Sequence, residues 1–207
     1  MRLILASASP RRAELLRSAG YTFDVVGADV DESIREGESP ATYVRRLAAE
    51  KSAAALSSVV SGFSRTEDSP PKGGHDRDRD TVILGADTTV VVDGEILGKP
   101  RDDEDGRRML QRLSGAAHQV MTGVSLRHGA YEVGRVETTT VTFRALTDED
   151  ISWYVASGEG RDKAGGYAIQ GLASRFIPSI AGSYSNVVGL PVAGLDELLR
   201  SLLASGR

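Results

Sequence analysis

The chain has 207 residues, a formal net charge of −4, 40% hydrophobic and 26% charged side chains. That length and apolar content suit one domain, or two small lobes sharing a core, while the acidic balance excludes a dedicated nucleic-acid surface, which needs a strong basic excess. With no cysteine in the chain, disulfides, thiolate metal sites and a cysteine nucleophile are ruled out, and a reducing cytoplasm is the fitting compartment. The opening MRLILASASP carries one basic residue and an apolar run too short for a signal peptide, and no stretch approaches a membrane span. The expectation is a soluble, cytoplasmic chain with no membrane partner.

Residues 1–6 read as a short apolar strand. Ser9 is a helix-capping type and Pro10 suits the first helical position, so PRRAELLRSAG is expected to be a helix that Gly20 stops. YTFDVVGADVDES reads as a second strand running into an acidic turn. Ser39-Pro40 repeats the capping pattern and starts SPATYVRRLAAEKSAAALSS, a helix that carries Lys51. Residues 61–80, rich in Ser, Pro, Gly and charge, read as a flexible surface loop. TVILGAD is expected to be a strand ending at Asp87, and TTVVVDGEIL a hairpin turning at Asp93-Gly94. A short helix follows around Met109, Leu110 and Leu113, then a long antiparallel pair turning near His128-Gly129. Thr147 and Asp150 mark the start of another helix, GYAIQG reads as a brief strand, and GLDELLRSLLAS closes the chain as a helix. Strands and helices mixed without repeats give an α/β class with parallel and antiparallel pairings.

The apparent phosphate loop GEILGK has three residues between its glycines where the motif needs four, and Pro100 where it needs Ser or Thr. HExxH and GxSxG motifs are absent, and three scattered histidines make no zinc cluster. What remains is SASPRR and a set of charged residues near strand ends. The two serines and two arginines at a helix N-terminus form an anion site, or Ser9 only caps and the arginines are solvated. Asp87 points into a cleft or caps a turn; Glu32, Lys51 and Lys99 serve the same cleft or sit in water. Asp162, Lys163 and Gln170 surround a glycine pair that lets backbone approach a ligand. As a set, these basic groups suit a polyphosphate, and Glu32 and Asp87 suit a divalent cation or a water to be activated.

ASASPRRAELL, GADTTVVVDGEILGKP, HQVMTGV, RDKAGGYAIQG and GSYSNVVGLPV resemble, in this order, the motifs of the Maf family, from residue 3 to about 199. The resemblance implies a single Maf-like domain over 1–207: an elongated mixed sheet with flanking helices, two lobes around a central cleft, similar to inosine triphosphate pyrophosphatases. It implies attack by water at the α-phosphorus of a nucleoside triphosphate, giving the monophosphate and pyrophosphate with Mg or Mn. Carried over, Asp87 matches the proton acceptor, with Glu32 a second metal ligand. Ser7, Ser9, Arg12, Lys51 and Lys99 match the phosphate region. Arg11, Thr88 and Gln170 match the positions that mark substrate choice, in the pattern of relatives acting on dTTP and UTP. A homodimer is also implied, and a second reading is a nucleotide-binding regulator of septum formation acting through protein contacts. The long 61–80 segment, with Gly160, Arg161 and Gly166, departs from the family pattern without removing a site residue.

Overall fold

Strand β1 (Arg2–Ala6) is buried at four of its five residues. It sits between β2 (Phe23–Val26) and β3 (Thr81–Val92), parallel to both. The computed structural model describes residues 1–63 and 81–204. Helix α1 (Pro10–Ser18) connects β1 to β2, and α2 (Pro40–Phe63) lies between β2 and β3 in the chain. Beyond β3 the sheet turns antiparallel through β5 (Ala117–His128), β6 (Tyr131–Thr142) and β7 (Ser179–Ala181), in the order β2-β1-β3-β5-β6-β7. The seventh strand, β4 (Glu95–Leu97), pairs only with β3. Helices α3 (Asp103–Leu113), α4 (Asp148–Ala156), α5 (Tyr184–Val188) and α6 (Val192–Ala204) complete the mixed α/β fold. No described helix is long and apolar enough to cross a membrane.

The feature that makes the site is a break along one edge of β3. Its other edge pairs with β5 from Val82 to Val91. On the near edge, β1 pairs as far as Gly85 and β4 begins at Val90, leaving residues 86–89 with no neighbouring strand. Side chains alternate across a strand, so Val82, Leu84 and Ala86 join one apolar cluster with Leu16, Leu195 and Leu199. Val90 and Val92, on the same face, join another with Leu110, Leu113, Tyr154 and Phe176. These two clusters, on one face of the sheet, part at Asp87–Thr89, while Ile4, Ala6, Ala55 and Ile83 form a third.

Helix α2 packs its backbone onto the sheet. A Cβ on Gly85 would lie 2.1 Å from the Ala48 carbonyl oxygen, and one on Gly123 2.2 Å from that of Val44. Only glycine permits that approach, and it seats Lys51, one turn beyond Ala48, over Asp87.

Several expectations change. β3 runs through Asp87 instead of ending there, because β5 continues to pair with it; the interruption is in its other neighbour. GYAIQG forms no strand: Ala164–Gly166 is a 3₁₀ turn, and Tyr167 is extended (φ −145°, ψ 160°) without a strand partner. The last strand is instead the three-residue β7. Helix α2 continues to Phe63, into the expected loop, with no proline before Pro70 to stop it; residues 64–80 lie outside the described residues. Asp93 and Gly94 both adopt positive φ (51° and 81°), as an Asp-Gly hairpin turn requires. Thr147 and Asp150 form the reciprocal capping box at α4.

One buried polar group predicts a pH effect. His118 is 3% exposed among Phe143 and Tyr167; its Nε2 lies 2.8 Å from the Tyr167 hydroxyl and its Nδ1 has no partner. Burial drives its pKa down to about 4. A base depressed on folding contributes stability that is present above the unfolded pKa near 6.5 and lost as pH falls toward 4. The loss is on the order of 3 kcal/mol. Urea midpoints between pH 7 and 4 should therefore fall less steeply in His118→Phe than in the parent. Parallel pH slopes would mean that the imidazole is not buried neutral.

Candidate active site

The break in the sheet opens into a cleft of about 750 Å3, and all twelve residues singled out from the sequence line it. At its floor, Lys51 joins two carboxylates: Nζ donates to Asp87 Oδ1 and to Glu32 Oε1, each at 2.7 Å. Lys51 and Asp87 are buried at 8% and 7% exposure, whereas Glu32 is exposed. Burial raises the pKa of Asp87 above the ordinary carboxylate value, against the opposing pull of Lys51 and Arg12. For Glu32, burial also acts upward, but the hydrogen bond and charge of Lys51, then Lys99 and Arg12, outweigh it and hold the carboxyl low. Two carboxylates in one site are thus separated in basicity, with the more basic one inside.

The loop after β1 forms the opposite wall. Ser7, at 7% exposure, accepts hydrogen bonds at Oγ from the Ser9 amide (3.2 Å) and Arg12 Nη1 (3.1 Å). Ser9 stands at the N-cap of α1, yet its side chain makes no capping bond. This corrects the reading of Ser9 as only a cap; it lines the cleft at the first turn of a helix that opens on Pro10. Arg12 donates from Nη2 to Thr88 Oγ1 at 3.1 Å and from Nε to the Gly189 carbonyl at 2.8 Å.

The third wall comes from the glycine-rich loop. Gly165 and Gly166 both have positive φ, 69° and 71°. Asp162 is ion-paired with Lys163 and lies 3.9 Å from Arg11 Nη1, so the loop and α1 meet across the cleft. Gln170 and Lys99 are exposed at its rim. Cations thus line several sides of a space whose floor holds a basic carboxylate, an arrangement suited to a polyanion beside a proton acceptor.

Among the described residues no group of three or more His, Cys, Asp or Glu is arranged to hold a metal ion. Glu32 and Asp87 supply two hard oxygen donors, and Mg²⁺ commonly takes one or two carboxylates with substrate phosphates and water completing its shell. The donor set therefore fits such a cation when it arrives with a phosphate ligand, and not a preformed protein cage.

Sequence reasoning missed Tyr43. Its hydroxyl donates to the Glu32 carbonyl at 3.0 Å, its ring lies under Arg46, and it lines the cleft. Burial, reinforced by Asp87 and Glu32, pushes its pKa up to about 12, so it stays a donor. Arg46 bonds Glu38 (2.6 Å) and the Ser33 carbonyl (3.0 Å), tying down the segment that carries Glu32. An aromatic residue one turn into an amphipathic helix signals only packing, so nothing local identified it.

A family model described as Maf-like protein matches residues 2–202. The chain is 48% identical over 203 residues to the dTTP/UTP pyrophosphatase of Anaeromyxobacter dehalogenans (strain 2CP-C), covering 96% of this chain and 93% of that one. It is 48% identical to the protein of the same description from Shewanella oneidensis, covering 96% and 97%. For the one from Escherichia coli O157:H7 the identity is 46%, covering 98% and 93%. Among solved structures, the Staphylococcus aureus Ham1 protein aligns over 100% of both chains at 12% identity and a TM-score of 0.45.

Proposed function

The chain belongs to the Maf family, and from that premise we propose that its cleft hydrolyses dTTP and UTP to the nucleoside monophosphate and pyrophosphate. The observation that carries this reading is Asp87, a buried carboxylate of raised pKa held by Lys51 at the floor of the cleft that Ser7 and Arg12 also line. The relatives described as dTTP/UTP pyrophosphatases match nearly the whole chain, which supports the same substrates.

Lys51 occupies Oδ1 of Asp87, leaving Oδ2 to take a proton from water. That water attacks the α-phosphorus as the bond to the bridging oxygen breaks and pyrophosphate leaves. Arg12, Lys51 and Lys99 meet the charge on the phosphoryl oxygens, and Ser7 and Ser9 line the wall beside them. Catalysis of this kind rests on positioning and fixed charge more than on covalent chemistry. Glu32 and Asp87 would hold Mg²⁺ or Mn²⁺, which when bound neutralises phosphate charge and lowers the pKa of coordinated water. Arg11, Thr88 and Gln170 govern substrate choice in this reading, and the enzyme works as a cytoplasmic homodimer. The septum-regulator reading is not favoured, since a nucleotide binder has no need of a water-activating carboxylate.

Pyrophosphate release from a panel of nucleoside triphosphates tests the reading. We expect release from dTTP and UTP with Mg²⁺ or Mn²⁺, abolished by chelator, with 7-methyl-GTP and ITP at least roughly tenfold poorer. Preference for either of those purines would overturn the substrate assignment, and no release from any nucleotide would overturn hydrolysis itself.

A further inference from the structure

We propose that Thr122 and Asn186, neither of which lines the cleft, are positioning residues that aim the Arg12 guanidinium through Thr88. The proposal rests on the reading of the cleft given above. Arg12 has five N–H donors, and each of its three nitrogens donates one bond into the protein: Nε to the Gly189 carbonyl, Nη1 to Ser7 and Nη2 to Thr88. That leaves one N–H on each terminal nitrogen for a phosphate oxygen, in a plane set by the protein.

Thr88 has one hydroxyl proton and two acceptors in reach, Thr122 Oγ1 at 2.9 Å and the Gly189 carbonyl at 3.3 Å, and the shorter contact sets the direction of the bonds beyond it. Thr122 Oγ1 donates to the Asn186 carbonyl at 3.1 Å. Its oxygen is then an acceptor for Thr88, 2.9 Å away, while Thr88 Oγ1 accepts from Arg12. The proton order runs from Arg12 to Thr88 to Thr122 to Asn186, each hydroxyl donating once.

The far end of this chain is anchored. Asn186 is fully buried, and its Nδ2 donates to the Val120 carbonyl at 3.0 Å and to Thr139 Oγ1 at 2.9 Å. It pins α5 to β5 and β6. Three residues on, Gly189 ends α5 at φ 131°, where its carbonyl receives Arg12 Nε. One short segment, GSYSNVVGL, therefore grips the guanidinium twice, directly at Gly189 and through Thr122 at Asn186.

Alternation along β3 explains why Thr88 serves this purpose. Asp87 faces Lys51 on α2, so its neighbour Thr88 projects from the opposite face, toward Arg12 and Thr122. With its hydroxyl shared among Arg12, Thr122 and the Gly189 carbonyl, Thr88 acts on the substrate through the pose of Arg12. A small misplacement of such a group is costly to turnover, on the order of a hundredfold per ångström.

A double-mutant cycle distinguishes positioning from a merely structural role. Thr122→Val keeps the volume and removes the hydroxyl; it should lower kcat/KM for dTTP roughly tenfold, with Thr122→Ser restoring most of it. In an Arg12→Met background the same substitution should change kcat/KM less than about twofold, because the group it aims is gone. Equal losses in both backgrounds, or no loss in the parent, would overturn the proposal. If the valine variant does not fold, Thr122→Ala, which introduces no clash, takes its place in the cycle. The Kd for inorganic pyrophosphate, measured on the same proteins, separates the two readings. A parent that binds pyrophosphate without turning over dTTP defeats the proposed hydrolysis, while the coupling is still read in binding. A parent that neither binds nor hydrolyses overturns both.

Discussion

Asp87→Asn is expected to lower kcat for dTTP by at least about a hundredfold while nucleotide affinity stays within a few-fold of the parent. The amide has the size of the carboxylate and can still accept a hydrogen bond from Lys51, which keeps Glu32 as its second partner. What it cannot do is take a proton from water. Removing a negative charge beside Arg12 also favours a polyanion, so any change in Kd should be toward tighter binding. Because burial raises the Asp87 pKa, the acid limb of the parent's kcat/KM profile should lie above the ordinary aspartate range. Stopped turnover assays and calorimetric titration of the same variant decide the matter. A loss below tenfold, or one matched by an equal loss of affinity, would exclude Asp87 as the proton acceptor.

The second large effect belongs to Lys51→Met. Methionine fills the space beside Ser52 and the sheet but leaves Glu32 and Asp87 facing one another without a cation between them. Removing one partner of a buried ion pair commonly costs about 3 kcal/mol or more, because the remaining charge is stranded. The urea midpoint at pH 7 should fall accordingly, and the deficit should shrink at lower pH as the carboxyls take up protons in the folded state. Lys51 pulls the pKa of both carboxyls down, so the acid limb of residual activity should also move upward. Turnover should drop at least about a hundredfold, since a phosphate-facing cation is lost with the pair. An unchanged midpoint together with an unmoved acid limb would show that the bridge does not exist in solution.

How much of this was legible before the fold is clearest at individual residues. Residues that line the cleft could be named because SASPRR, GADTT and RDKAGGYAIQG carry unusual chemistry at fixed spacing. Their partnerships could not, since Lys51 meets Glu32 and Asp87 across 19 and 36 residues with no local trace. Asp87 marked the end of an apolar run, which suggested a strand end. The strand continues because its partner β5, thirty-odd positions further on, continues too, and register with a distant strand leaves no mark on the nearer sequence. GYAIQG has strand composition, yet Tyr167 spends its hydroxyl on His118 and its backbone finds no ladder. Strand β7 is three residues long, too short for any period to show. Thr122 and Asn186 stand in mixed sequence, HQVMTGVS and GSYSNVV, where a further polar residue is no signal, and their meaning depends on who receives the hydrogen bond.

The gap between β1 and β4 beside β3 has a consequence for solubility. A sheet with a bare strand edge offers its backbone groups to any passing extended chain, which is the usual route to edge-to-edge aggregation. Along this side of β3 residues 86–89 lack a strand partner, three of them are buried, and β1 closes one end of the gap and β4 the other. An invading strand would find four residues of ladder and then two walls, too little to hold it. The outer strands β2 and β7, of four and three residues, are equally poor templates. By placing the gap in the middle of the sheet's run and not along its margin, the fold keeps its unpaired strand edge between two walls.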